Sequence, residues 1–244
     1  MKNRLKIAIQ KNGRLSNESL SILKKCGIEF SDSSNKLFIK STNMLIDLLM
    51  VRDDDIPRLV SQNIADLGIV GENVVFEKQL SDTSLKLKTT LKLGFSRCRL
   101  SFAKPKKMNL DNINNKKIAT SYPSIVKNYL EKKDINAEII EIHGSVELTP
   151  FVEISDIIAD LVSTGSTLES NNLTELDSIM DSQAILVQSS SIPSKKLPLI
   201  EKIVARINSV IKAKDSKYIM FNADTDNTDC LLYTSDAADE VSCG

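Results

Sequence analysis

The chain has one histidine, His143, and no tryptophan in 244 residues. A Ser-His-Asp triad or a multi-histidine metal site would have to be built around that single imidazole, which argues against both. The four cysteines, Cys26, Cys98, Cys230 and Cys243, show neither metal-ligand spacing nor a disulfide framework. No charge of one sign is in excess: Lys+Arg and Asp+Glu are both 32. That argues against a general nucleic-acid binder but leaves room for a local basic pocket. Long hydrophobic runs are missing too. The opening "MKNRLKIAIQKNGRLS" has only a short apolar stretch, so neither a signal-peptide core nor a membrane helix is expected. These absences imply a cytoplasmic protein that binds neither nucleic acid nor membrane. G-x-x-x-x-G-K-S/T and G-x-G-x-x-G are also absent, so any nucleotide is held by another device.

The remaining composition is that of a globular chain, with 41% hydrophobic and 26% charged residues. The length suits one large domain or two lobes. Strand-length apolar runs alternate with helix-period segments. Strands are expected at 5–10, 36–41, 44–51 and 66–71. Helices are expected at 16–27, 54–63 and 72–79, with Ser16 and Asp55 as caps, Pro57 in a first turn and Gly27 as a stop. After "CRLSFAKP" (98–105) the grammar restarts. Strands are read at 116–122, 137–144, 156–163 and 184–190, and helices at 123–133, 145–155, 167–172 and 195–217. The last helix carries Ile200, Ile203, Val204, Ile207 and Ile211 on one stripe, with Lys212, Lys214 and Lys217 at its end. Two α/β units with mostly parallel strands follow. "IADLGIVGENVV" (64–75) and "IADLVSTGSTLE" (158–169) end the halves alike, as generic α/β grammar or as a duplication. In open α/β sheets ligands gather at the carboxyl ends of the strands, and two lobes face to face enclose a cleft.

Chemistry-bearing residues fall in the strand-to-helix loops. In "IIADLVSTGSTLESN" (157–171), Ser163, Thr164, Gly165, Ser166 and Thr167 join a buried strand to a helix. Such a corner offers backbone N–H groups, hydroxyls and a glycine that admits close approach, which suits a phosphate monoester. It also suits a plain helix cap. Asp160, just before it, is a candidate for a ribose hydroxyl or Mg²⁺, or for a structural cap. "QKNGRLSNES" sets Lys11 and Arg14 around Gly13. "MVRDDDIP" puts Arg52 at the end of an apolar strand, facing either substrate or the carboxylates Asp53 to Asp55. "ATSYPSIV" offers Ser121 and Tyr122 as ligand contacts or, for Tyr122, core packing. "HGSVELTP" offers Glu147 as a metal or ribose contact or as a first-turn acid.

Together, "IAIQKNGRLS", "RDDDIPRLV", "ADLGIVGENV", "CRLSFA", "KKIATSYP", "GSVELTP", "DLVSTGSTLESN" and "SKYIM" resemble the ATP phosphoribosyltransferase family of histidine biosynthesis, in order and across most of residues 4–222. The resemblance implies an α/β fold of two lobes with a cleft between them, like a type II periplasmic-binding protein. Lobe I would comprise 1–93 plus 185–222 and lobe II 94–184, with 223–244 beyond them. It implies transfer of a phosphoribosyl group from phosphoribosyl pyrophosphate to N1 of ATP, with Mg²⁺ as cofactor and pyrophosphate released. It places the 5-phosphate on the Ser163–Thr167 turn with Asp160. It gives Arg14, Arg52 and Lys11 to the chemistry, and Gly13, Leu15, Asp66, Ser121 and Tyr122 to ATP. Glu147 and Asp160 are left for the metal. Purine-salvage phosphoribosyltransferases place two adjacent acids before the turn. Here Asp160 stands alone and Asp156 lies four residues earlier. A homo-oligomer is implied, a dimer or, in the intact long form of the family, a hexamer. The competing reading is a two-lobed module that binds a small anion or nucleotide without catalysis.

The C-terminus departs from this pattern. "CLLYTSDAADE" (230–240) resembles one reading frame of a transposase adapter used in DNA library preparation, so residues 230–244 are expected to take no part in the fold. "SKYIM" (216–220) then points to a long-form chain cut near 227–229, a core without feedback inhibition by histidine.

Overall fold

The computed structural model describes residues 4–30, 37–110 and 112–214. Expectations for Lys36, Lys217, the "SKYIM" segment, Cys230, Cys243 and the C-terminal tail fall outside the described residues. Up to Ile211 the chain forms one unit built on two sheets; a second unit begins at Lys212, and its described part is the last turn of the final helix.

In the first sheet, β1 (Leu5–Gln10), β3 (Ile46–Val51) and β4 (Leu67–Gly71) run parallel, with Ile7 opposite Leu48 on one side and Leu67 on the other. β2 (Phe38–Lys40) joins β3 antiparallel, and β11 (Ala184–Ser189) joins β4 antiparallel. β5 (Leu87–Lys92) closes the far edge against β11. The order is β2-β3-β1-β4-β11-β5. The second sheet has the order β10-β6-β9-β7-β8. β9 (Ile157–Val162), β7 (Lys117–Thr120) and β8 (Glu138–Glu141) run parallel, with β8 at the edge. β6 (Cys98–Pro105) runs antiparallel to β9, and β10 (Leu173–Ser182) antiparallel to β6.

The two sheets repeat one plan. β3-β1-β4-β11-β5 and β8-β7-β9-β6-β10 match in order and direction. β4 and β9, which carry the similar segments 64–75 and 158–169, therefore hold equivalent places, which is more than shared strand-and-turn grammar demands. The strand of each sheet that follows a crossing, β6 or β11, enters from the other side and so runs antiparallel. The crossings pair with each other: Leu93 N–H donates to Ala184 O (2.9 Å) and Ala184 N–H to Phe95 O (3.0 Å).

Burial explains why the central strands read as apolar runs. Leu5, Ile7 and Ile9 face a core formed with α1 (Arg14–Lys25) and α6 (Leu197–Lys214), while Ala8 faces the cluster around Ile56, Val60 and Val187. Both faces of β1 are thus covered. Ile200, Ile203 and Ile207 of α6 are buried, with Val204 and Ile211 packed beside them. In the second sheet Phe102, Ile118 and Ile157 pack with Val126 and Leu130 of α4 (Pro123–Lys133). No helix among the described residues is long and apolar enough to cross a membrane.

Some local expectations change. α1 begins at Arg14 with Gly13 as N-cap; Ser16 lies within the helix, buried, and its hydroxyl donates to Lys11 O (3.2 Å). Asp55 is the N-cap of α2 (Ile56–Ser61), but its side chain makes no capping bond. Segment 145–155 is not a helix. It holds one 3-10 turn, Val146–Leu148, and Ser145 and Glu153 have positive φ. Pro150, with no N–H to donate, sits where the helix would have to continue. α5, Ser166–Ser170, is a single short helix after β9.

Candidate active site

The loops at the carboxyl ends of the parallel strands carry the polar residues, as the strand-order rule for open sheets requires. In the first sheet, Lys11 N–H donates to Val51 O (2.8 Å), tying the loop after β1 to the end of β3. A cavity of about 350 Å³ opens there, lined by Gln10, Lys11, Asn12, Val51, Arg52 and Asp53. Lys11 and Arg52 are exposed, and neither has an ion-pair partner among the described residues. The Asp53–Asp55 carboxylates therefore do not neutralise Arg52: the three residues curl into a 3-10 turn, with Asp55 N–H bonded to Arg52 O (3.2 Å). Gly13 has φ +95°, and a side chain at that position would meet nothing within 4 Å, so the backbone lies open. Arg14 starts α1 and lies 3.7 Å from Glu18, whose carboxylate also accepts the Ser96 hydroxyl from the crossing segment.

A second cavity of about 360 Å³ joins elements of both sheets. Asp53, Asp54 and Glu77 line it from one side, and Ser121, Tyr122, Ser124 and His143 from the other. Asp53 borders both cavities. Burial pushes the Tyr122 phenol up, and the nearby carboxylates of Asp160, Asp53 and Asp54 push the same way; the Asn73 side chain opposes them. Tyr122 shares this cavity with Asp53 and Asp54 of the other half. Ser121 is held by its hydroxyl, which donates to Ile142 O (2.6 Å).

On the second sheet, Asp160 lies opposite Ser101 near the end of β9. Burial raises its carboxyl above the usual aspartate range; the Leu161 N–H lowers it, and Glu147 raises it again. The turn that follows leaves Ser163, Thr164, Ser166 and Thr167 exposed. Gly165 adopts φ +86°, the left-handed region where glycine carries no side-chain penalty, and nothing lies within 4 Å of a Cβ added there. No side chain plugs this corner. Thr164 and Ser166 hydroxyls stand 3.0 Å apart, and no side chain caps α5. The amides of Thr164, Gly165 and Thr167 have no partner among the described residues.

Two of the residues assigned to ATP make structural contacts. Asp66 precedes β4, at the opposite end of the strand from the cleft loops. Both its oxygens are engaged: Lys6 N–H donates to one (2.8 Å), and the Lys196 ammonium reaches both (2.9 and 2.8 Å). Asp66 thus anchors the 3-10 turn Ser194–Lys196 that leads into α6, with both oxygens engaged by the protein itself. Lys196→Ala would leave that buried carboxylate without its cation. It is expected to cost about 3 kcal/mol of folding free energy, measurable by urea denaturation. Leu15, in the first turn of α1, is partly buried against the hydrophobic core. Sequence reasoning passed over Asn73 and Glu77, both buried and polar on α3 (Glu72–Ser81). Their partners lie 109 and 47–48 residues away, so no local pattern marks them.

Residues 52–209 match the profile of the HisG family, described as ATP phosphoribosyltransferase. The chain is similar to the ATP phosphoribosyltransferase of Bacteroides thetaiotaomicron, 43% identical over 231 residues, 93% of this chain and 80% of the relative. It is also similar to that of Cytophaga hutchinsonii, 45% identical over 221 residues, 89% and 76% of the two chains. Among solved structures, a chain of the ATP phosphoribosyl transferase (HisG:HisZ) complex from Thermotoga maritima superposes with a TM-score of 0.74 at 31% identity, over 87% of this chain and all of that one. The substrate-binding protein of an amino acid ABC transporter superposes at 0.53 with 11% identity, over 85% and 91%. At that identity the likeness is one of fold, the two-lobed type II periplasmic-binding-protein plan.

Proposed function

Because the chain belongs to the ATP phosphoribosyltransferase family, the enzymes of the first step of histidine biosynthesis, we propose that its two cavities and the Gly165 corner divide the two substrates between them. The corner takes the 5-phosphate of phosphoribosyl pyrophosphate on its free amides and hydroxyls, with Asp160 on the ribose hydroxyls. Lys11, Arg52 and Arg14 face the pyrophosphate, and Ser121, Tyr122 and the open backbone at Gly13 serve ATP. The observation that carries this division is the position of Tyr122 and Ser121 in one cavity with Asp53, Asp54 and Glu77 of the other half.

The chemistry asks little of general acid-base catalysis. Adenine N1 has a free lone pair at neutral pH and attacks the ribose C1 directly. The C1–O bond to pyrophosphate breaks with its electron pair on the leaving oxygen, and the sugar passes through a cationic, oxocarbenium-like state. The protein orients the two anions and neutralises the charge that grows on pyrophosphate. Guanidinium groups suit this because their planar forks bind phosphate in two places and stay charged.

Mg²⁺ belongs to this reading. Among the described residues, no group of three or more histidine, cysteine, aspartate and glutamate side chains is placed to hold a metal. Mg²⁺ often takes only one or two carboxylates and completes its shell with water and substrate phosphate. Asp160 and Glu147 are the carboxylates that would meet that demand, Glu147 adding to the rise of the Asp160 carboxyl. When bound there, the ion supplies counter-charge to pyrophosphate. We place the enzyme in the cytoplasm and expect it to form a homo-oligomer. The T. maritima chain, solved in a complex, supports association of this fold with other chains.

A coupled pyrophosphate assay tests the function. Release is expected only when ATP and phosphoribosyl pyrophosphate are both present. Saturable binding of either substrate with no release would return the chain to the solute-binding class.

A further inference from the structure

We propose that Glu77 is a positioning residue of the ATP side of the cleft, acting through the N-terminus of α4. The local sequence creates the need for it. α4 opens with Tyr122 as N-cap and Pro123 at its first position. Tyrosine has no short side-chain oxygen to turn back on the helix, and proline has no N–H. The amides of Ser124 and Ile125 are therefore the first free donors of the helix, and nothing on α4 accepts them.

A carboxylate from the other half does. One Glu77 oxygen accepts Ser124 N–H and the other accepts Ile125 N–H, each at 2.9 Å. Glu77 lies on α3, is only 8% exposed, and borders the same cavity as Ser121 and Tyr122. Its negative charge sits at the positive end of the α4 dipole. α3 itself is pinned at its start: Ser182, at the end of β10, accepts Asn73 N–H (3.1 Å) and donates to the Asn73 side-chain oxygen (2.8 Å). A continuous set of bonds thus runs from the crossing between the sheets, through α3, to the first turn of α4 and Tyr122.

Two consequences follow. The N-terminus of α4 is filled by a protein carboxylate and is closed to substrate phosphate, which leaves the uncapped Gly165 corner as the anion seat of that half. Ser121 is anchored within its own half through Ile142 O, and Tyr122 N–H through the Thr120 hydroxyl; the Glu77 bonds fix the first turn of α4, which Tyr122 caps, against α3. Glutamine cannot replace glutamate here. Its amide offers one acceptor, and the NH₂ would meet a backbone N–H donor to donor.

This rests on the assignment of Tyr122 and Ser121 to ATP, and the test separates the two claims. In titration calorimetry on the full chain, Glu77→Gln is expected to melt cooperatively and to weaken ATP binding about tenfold. Phosphoribosyl pyrophosphate binding should stay within about twofold. The conservative Glu77→Asp, which keeps both acceptors on a shorter stem, should recover part of the loss. Unchanged ATP affinity, or equal weakening of both ligands, overturns the role of Glu77. Should Glu77→Gln not fold, amide exchange in the unmodified protein decides. The Ser124 and Ile125 amides should be protected without ligand and more so with ATP; exchange at unprotected rates, or protection that ATP leaves unchanged, overturns the inference. Wild-type protein that binds ATP in a Glu77-dependent way but releases no pyrophosphate would sink the transferase reading alone.

Discussion

Arg52→Ala is expected to lower kcat for pyrophosphate release about 10²–10³-fold while changing folding free energy by no more than about 0.5 kcal/mol. The two numbers diverge because of how the side chain is placed. Arg52 directly follows β3, where its carbonyl accepts Asp55 N–H, and its guanidinium is exposed with no carboxylate among the described residues to pair with. Folding draws nothing from the charge, so removing it costs folding little. An unpaired guanidinium beside Lys11, in a cavity of about 350 Å³, is already arranged for an anion that arrives later. Preorganised charge of that kind acts on the transition state, where negative charge grows on the leaving pyrophosphate. Arg52→Lys keeps the charge and loses the fork, so it should fall between the two. Steady-state kinetics with a melting curve on each variant checks this. An Arg52→Ala enzyme with unchanged kcat would move the pyrophosphate away from this cavity.

The central strands and the strand-to-helix loops were legible because burial on both faces leaves an apolar run that no other element imitates. "LKIAIQ", "DLGIVG" and "DIIADLV" are such runs, and their polar carboxyl ends lead straight to the cleft. The edges were not. β10, "LTELDSIMDS", and β5, "LKTTLK", each lie at the rim of a sheet, where charged residues guard the open strand and dilute the alternation. The 145–155 segment misled in the opposite sense: it looked apolar enough for a helix, and Pro150 with two left-handed residues turned it into an irregular loop. Within the candidate site, the residues proposed to meet a ligand stood out by being polar at a strand end. Asp66 fits that description equally well, but at the wrong end of its strand, and only its bond to Lys196, 130 residues away, reveals a structural task. Glu77 was invisible for the same reason, since its partners are backbone amides of a helix in the other half.

Asp160→Asn should separate stability from activity in opposite directions. In the folded protein burial raises the Asp160 carboxyl, and Glu147 adds to it, against one opposing bond from Leu161 N–H. The folded state therefore holds a proton that the unfolded chain has already lost, over the range between the ordinary aspartate value of 3.8 and the raised one. Where the native state binds more protons, stability falls as pH rises. Above that range the whole penalty is present, because a charged carboxylate is kept in a poorly solvated place beside another acid. Asparagine keeps the shape and removes the charge. Asp160→Asn is accordingly expected to melt higher than the unmodified protein at neutral pH, and to lose that advantage below the ordinary aspartate range. Its kcat/KM for phosphoribosyl pyrophosphate should drop about 100-fold, since two ribose hydroxyls lose a charged acceptor at about 1.5 kcal/mol each. Melting curves across pH 3 to 8, about the span over which aspartate environments titrate, together with kinetics at neutral pH, measure both. Gain of stability with loss of activity is what a ligand-directed carboxylate gives. Loss of both would make Asp160 a cap of its own turn.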